Sequence, residues 1–185
     1  MALREIVVEG DDVLNKKCRI VEKFDKRLSV LIDDMIDTLI ESGGVGLAAP
    51  QVGILRRVVV IQVDPEEAPL ELVNPEIIET SGEQKGLEGC LSIPGKWGIA
   101  TRPYYVKVKA FDRDGNEYTA EGTGLLARAF CHELDHLDGV LYNTVCDRML
   151  TPPEIEKYNE GEIDFADECY VDTGDVELDD KGDEE

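Results

Sequence analysis

The segment Gly124 to Gly139, GLLARAFCHELDHLDG, narrows the folds open to this chain more than any other stretch. Its residues recur with helical period and fall into three stripes. Leu126, Phe130, Leu134 and Leu137 form one; Leu125, Ala129, His132 and His136 form the next; Arg128, Cys131, Asp135 and Asp138 form the third. An ordinary surface helix hides one stripe and wets the others. Here two of the three are ill suited to water, so the helix is expected to be central, with other elements wrapped around it. The same segment carries both of the chain's 2 histidines, His132 and His136.

The rest of the chain supplies material for that wrapping. From Asp25, apolar residues Leu28, Leu31, Ile32, Met35, Ile36, Leu39 and Ile40 recur at helical spacing until Gly43 and Gly44 stop them. GVGLAAPQVG then reads as a loop of small residues, followed by the β-branched run Val58 to Val63, a buried strand. Further strands are expected at Leu70 to Val73, Glu76 to Glu79, Tyr104 to Phe111 and Tyr118 to Glu121, the last two joined by the hairpin turn RDGN. The class is α+β, with antiparallel or mixed sheets packed around a central α-helix.

Composition sets limits on function. With 41 acidic against 19 basic side chains in 185 residues, the formal charge is −22. Such a surface repels phosphate backbones and anionic membranes, so direct nucleic-acid and membrane binding are not expected. The start, MALREIVVEGDDVLNKK, lacks the basic and apolar regions of a secretion signal, and 5 scattered cysteines do not suggest a disulfide framework. A cytoplasmic location is expected. One globular unit is expected, followed by an acidic C-terminal extension over 151–185, partly without fixed structure. Residues 154–185 hold fifteen acids and two lysines, and VDTGDVELDDKGDEE has little with which to build a core.

HELDH, residues 132 to 136, places two imidazoles one turn apart, where both can reach one ion while Glu133 stays within a water's reach of it. A hydrolytic metal site of this kind needs a third protein ligand and an open position. Tyr142 stands where a downstream histidine would complete the HExxHxxGxxH string, so the third ligand must be Cys, Asp or Glu. Cys131 is turned about 100° from His132 on the helix and is badly aimed. Cys18, Cys146 and Cys169 lie in contexts without recognisable site chemistry. Cys90, in LEGCLSIPG, reads by itself as readily as a structural cysteine as a ligand.

Three strings taken together resemble the motifs of the peptide deformylases: GVGLAAPQ at 44–51, EGCLS at 88–92 and HELDH at 132–136, in that order and spacing. LREI, TRPYYVKVKAFDRDGNEY, GLLAR and DRM extend the likeness over about residues 1 to 150. The resemblance implies a hydrolase that removes the formyl group from the N-terminal formyl-methionine of new proteins and releases formate. It implies Cys90, His132 and His136 as ligands of one divalent ion, ferrous iron first, with zinc, nickel or cobalt able to take its place. Glu133 is implied as general base and acid as metal-bound water attacks the formyl carbon, with Gln51 and the Leu91 N–H as oxyanion donors. Val45, Gly46 and Gly89 are implied to hold the substrate as an added strand, and Leu125 and Ala129, with the Val45 side, to line a methionine pocket. The implied partners are N-formylmethionyl peptides and nascent chains.

Several positions depart from the family pattern. Cys131 stands where the family has Gln before the HExxH string, and Gly10 where it has proline. Trp97, the single tryptophan, follows the IPG turn. Asp135 is implied to pair with Arg102 and brace the metal helix. The acidic C-terminus has the opposite sign to the basic helix by which some deformylases dock on ribosomal RNA; transient ribosome association stays open, but not through this extension. Two other classes set the tests that discriminate: a general HExxH peptidase would cut unformylated peptides, and a degenerate binding module would release no formate.

Overall fold

The computed structural model describes residues 2–174, and the acidic stretch from 175 onward lies outside them. Helix α1 spans Lys26–Ser42. Asp25 caps it, its carboxylate accepting from the Arg27 and Leu28 N–H groups at 3.0 and 3.1 Å; such a cap is worth about 1 kcal/mol. Gly43, at φ 66°, ends it in the left-handed conformation that a side chain resists. Its apolar stripe covers one face of a five-stranded antiparallel sheet.

That sheet has the order β1-β2-β3-β6-β7, formed by Gly46–Ala48, Val58–Ile61, Leu70–Ser81, Tyr105–Phe111 and Glu117–Thr123. Period-two alternation divides its residues between two cores. Val58 and Val60 pack with Leu28, Ile32 and Met35 of α1. Val59 and Ile61 face the other way, with Val106, Val108 and Ala110, against Ala127, Phe130 and Leu137 of helix α2, Gly124–Leu137. Phe130 is fully enclosed; truncating such a ring to alanine costs about 3 to 5 kcal/mol.

A second antiparallel sheet, order β8-β5-β4-β9, comprises Arg148–Met149, Ile93–Arg102, Glu83–Cys90 and Tyr170–Asp172. Helix α2 touches β1, β2, β6 and β7 of the first sheet and β5 of the second. The expected central helix is therefore present, and the α+β class holds. Its third stripe is less wet than expected: Arg128 and Cys131 are buried, while Asp138 is exposed. Leu125, on an apolar stripe, is 51% exposed.

Five strands differ from the sequence reading. GVGLAAPQVG is not only a loop, because Gly46–Ala48 pairs with Val59–Ile61 and Ala49–Val52 makes a 3₁₀ turn. The two strands expected on either side of Asn74 and Pro75 are one strand, since Asn74 adopts φ 51° at a register shift. Asn is one of the few residues that tolerate this, and its side chain locks it by pairing with the Val21 N–H and C=O at 2.8 and 2.9 Å. Strands β4 and β5 were not expected, because glycines and charges interrupt any period. Of the stretch 171–185, expected to lack fixed structure, Val171 and Asp172 instead continue a strand from Tyr170 that pairs with Glu83–Lys85, while 175–185 lie outside the described residues. Backbone pairing suffices there, as all three side chains are exposed.

A short helix α3, Pro152–Asn159, follows, with Thr151 and Glu154 forming a reciprocal cap. Ile155, Tyr158 and Phe165 pack onto Ile99 and Trp97, so the described part of the C-terminal segment is attached to the second sheet.

Candidate metal centre

Helix α2 brings His132 and His136 to one side, with ring centroids 4.9 Å apart. Strand β4 ends opposite them in a bulge between Gly89 and Cys90. The bulge turns Cys90 toward the helix, and its Sγ lies 3.3 Å from His136 Nε2. The ligand atoms of Cys90, His132 and His136 all fall within 4.8 Å of one another. Ligands around a tetrahedral ion at bond lengths of about 2.1 Å are separated by roughly 3.4 Å, so these three can close on one cation with small side-chain shifts. Cys131 is not part of the group; it is buried against the first sheet.

The residues behind the histidines fit that use. Glu88 Oε1 lies 2.7 Å from His132 Nδ1, which fixes the ring and leaves Nε2 for the site. Glu88 in turn accepts from Arg102 at 2.7 and 3.1 Å and from Arg128 at 3.1 Å, and Arg102 donates to Asp135 at 2.7 Å. The expected Asp135–Arg102 pair is therefore formed. Glu88, which organises the cluster, was not singled out from sequence; the only signal was a carboxylate two residues before Cys90.

Electrostatics follow from this packing. Burial pushes Glu88 up, but His132 and Arg102 outweigh it and hold the carboxylate well below its usual range. Burial pushes His132 down, yet Cys90 and Glu88 hold it well above the ordinary imidazole range. His136 is pushed down to about 3 by burial and by the His132 charge, which leaves a neutral imidazole. Burial pushes Glu133 up to about 7, with His132 opposing. Glu133 Oε2 and His136 Nδ1 are sealed and without a partner among the described residues.

Gln51 is oriented without ambiguity by its neighbours. Its Oε1 accepts the Ala48 N–H at 2.8 Å, so the amide nitrogen must face Ser92 Oγ at 3.3 Å and Cys90 Sγ at 3.5 Å. A neutral donor is thus aimed into the site. Gly46 has to be glycine: a Cβ there would sit 2.5 Å from Glu133 Oε1. Gly89 is similar, since a Cβ would lie 2.9 Å from the Trp97 ring.

A cavity of about 340 Å³ opens beside these groups. Val45, Gly46, Gln51, Gly89, Cys90 and Leu91 line one side and Leu125, Ala129, His132 and Glu133 the other. All the sequence-derived site residues except His136 line this cavity. Val45 and Gly46 belong to the edge of the first sheet, and β4 is unpaired by β9 beyond Lys85. The cavity therefore lies between two strands with free backbone groups.

The comparisons agree with that geometry. A family model described as polypeptide deformylase matches residues 3–152. The chain belongs to that family. A peptide deformylase of Lachnoclostridium phytofermentans is 61% identical over 143 residues, 77% of this chain and 88% of that one. Peptide deformylase 1 of Bacillus subtilis is 49% identical over 155 residues, covering 84% and 97%. The crystal structure of the Thermotoga maritima peptide deformylase superposes with a TM-score of 0.76 at 41% identity, covering 80% of this chain and 99% of that one. The chain is thus a hydrolase of the deformylase family, and removal of an N-terminal formyl group is its activity. Among the described residues, no helix is long and apolar enough to cross a membrane.

Proposed function

We propose that this deformylase hydrolyses formyl-methionyl N-termini of new proteins with Glu133 as general base and acid, at a divalent ion held by Cys90, His132 and His136. The observation that carries this reading is the convergence of one thiol and two imidazoles within 4.8 Å, beside a sealed Glu133 carboxyl oxygen without a partner. When bound, the ion supplies a Lewis acid that brings the pKa of water toward neutrality.

The chain's own groups do the rest. An extended peptide lies between the edges at Val45–Gly46 and Gly89, held by backbone hydrogen bonds, with its first side chain against Leu125 and Ala129. Glu133, pushed up to about 7, takes the proton of the attacking water and later delivers it to the departing amine. Gln51 Nε2 and the Leu91 N–H donate to the oxygen that becomes negative; a single donor of this kind is worth roughly 3 to 4 kcal/mol. The products are formate and a free N-terminus.

Iron(II) is the expected ion, with zinc, nickel or cobalt as substitutes. A thiolate ligand beside iron is open to oxidation, so activity should decline on aeration. The enzyme works on nascent chains in the cytoplasm, with residues 1–150 as the catalytic domain and 151–185 as an acidic appendage that does not dock on RNA. The test is formate release from formyl-Met-Ala-Ser by anaerobically purified protein alongside Glu133→Ala. We expect ready release from the first and a loss of at least a hundredfold in the second; equal rates would overturn the assignment of Glu133.

A further inference from the structure

Arg128 is a charged residue of the cavity wall that the reaction does not use. Arg128 lies on α2 one turn before His132, beside Ala129, and lines the same cavity as Leu125 and Ala129. It is only 7% exposed. Of its five N–H bonds, two are spent: Nη1 donates to Glu88 Oε2 and to the Ala100 carbonyl, each at 3.1 Å. Among the described residues, Nε and Nη2 have no acceptor, and neither is among the polar atoms sealed without a partner. A guanidinium whose remaining donors are neither bonded nor sealed keeps them within reach of an incoming acceptor, and this cavity is a space that Arg128 borders.

Gly86 makes the seat for that group. A Cβ at this position would come 3.1 Å from Arg128 Nη2, so an alanine there would crowd the guanidinium and push it by a few tenths of an ångström. The carboxylate of Glu88 and the Ala100 carbonyl then hold it from behind. The result is a side-chain pocket whose apolar walls, Leu125, Ala129 and Leu91, accompany a fixed set of free donors. A purely apolar pocket needs no such feature. Free donors cost desolvation when an apolar side chain covers them and gain a charge-assisted hydrogen bond when an acceptor arrives.

We propose that Arg128 is a specificity-determining residue that reads an acceptor atom on the substrate's first side chain, so that this enzyme also deformylates N-termini whose formyl-methionine has been oxidised to the sulfoxide. The inference rests on the deformylase reading and extends its substrate range. The thioether sulfur of methionine is a weak acceptor, the sulfoxide oxygen a strong one, and norleucine, of the same length, offers none. The reaction is unchanged: water adds, the formyl C–N bond breaks, and formate and the amine leave. The sulfoxide arises beforehand by chemical oxidation and is neither formed nor reduced here.

The experiment measures kcat/KM of the metal-loaded enzyme on formyl-Met-Ala-Ser and on its norleucine and methionine-sulfoxide analogues. In the native protein, the sulfoxide peptide should be hydrolysed at least as well as the norleucine peptide. In Arg128→Leu, the ratio of sulfoxide to norleucine should fall about ten- to a hundredfold, the factor carried by one hydrogen bond to a charged group, mainly through KM. Reading a ratio within each variant cancels any loss of structure or metal that affects all three peptides. Gly86→Ala, which keeps the charge but crowds Nη2, should shift the ratio the same way by a smaller factor, and it serves if Arg128→Leu does not fold. A native ratio tenfold or more below one, or a ratio unmoved in both variants, would overturn the proposal while leaving deformylation of formyl-Met-Ala-Ser intact. Failure on all three peptides would instead strike the deformylase reading, and this inference with it.

Discussion

Two guanidinium and carboxylate clusters of similar design sit on opposite sides of the second sheet. In one, Glu88 is held by Arg102, Arg128 and His132, with side chains 3%, 11%, 9% and 9% exposed. In the other, Arg148 binds Glu168 at 2.6 Å and Glu154 at 3.1 Å, with side chains 34%, 41% and 30% exposed. Distances alone would rank them as equals. Burial separates them, because a charge stranded at Glu88 cannot return to water, whereas one stranded at Arg148 already touches it. Only the first cluster can therefore hold a ring in place, and His132 is the ring it holds.

The sharpest way to break this comparison is Glu88→Ala. Removing the shared carboxylate leaves the buried Arg128 and His132 without their charged partner and Arg102 with Asp135 alone, so a loss of about 3 to 5 kcal/mol is expected. Metal affinity should fall by about ten- to a hundredfold as His132 loses its orienting bond. Chemical denaturation and elemental analysis check the two effects. A melt and metal content like the native protein's would make the buried cluster no more important than the exposed one.

Arg102→Ala is a finer cut. Glu88 keeps Arg128, and the freed Asp135 is 30% exposed, so about 2 to 3 kcal/mol is expected, with partial loss of metal. If metal retention and thermal stability are both unchanged, Arg102 does not brace the helix. For Arg148→Ala the expected loss is below about 1 kcal/mol with no change in metal content.

Acid titration gives the smallest effect and tests the exposed side by itself. Glu154 is lowered from 4.5 to about 2, first by the Thr151 backbone N–H and hydroxyl and only then by Arg148. A depressed carboxylate contributes stability that is full above its ordinary value and is lost as pH falls through the lowered one. The native protein should therefore melt above Glu154→Gln at pH 6, and the gap should close between about pH 4.5 and 2. Because the cap supplies the main cause, the gap should persist in an Arg148→Ala background; its disappearance there would assign the shift to the ion pair.

These clusters also mark what could be read from sequence. The central helix was legible because Leu126, Phe130 and Leu134 repeat at helical spacing, and the grouping of Cys90 with His132 and His136 because HELDH and EGCLS are compact strings that together resemble a family's motifs. Asn74 hid the continuity of β3, since a left-handed residue inside a strand leaves no periodic trace. Glu83–Cys90 was illegible as a strand because Gly86 and Gly89 are there for close approach, to Arg128 and Trp97, and not for β propensity. Glu88 looked like one more acid among 41. What distinguishes it is a set of partners 14, 40 and 44 residues away, which only folding brings to it.

The convergence of Cys90 with the two histidines is tested most directly by Cys90→Ala, prepared without oxygen beside the native protein, with bound metal and formate release measured on the same samples. The account predicts about one ion per chain and ready release in the native protein, and loss of both by tenfold or more in the variant. A Cys90→Ala protein that keeps its full ion and turns over at the native rate would contradict it.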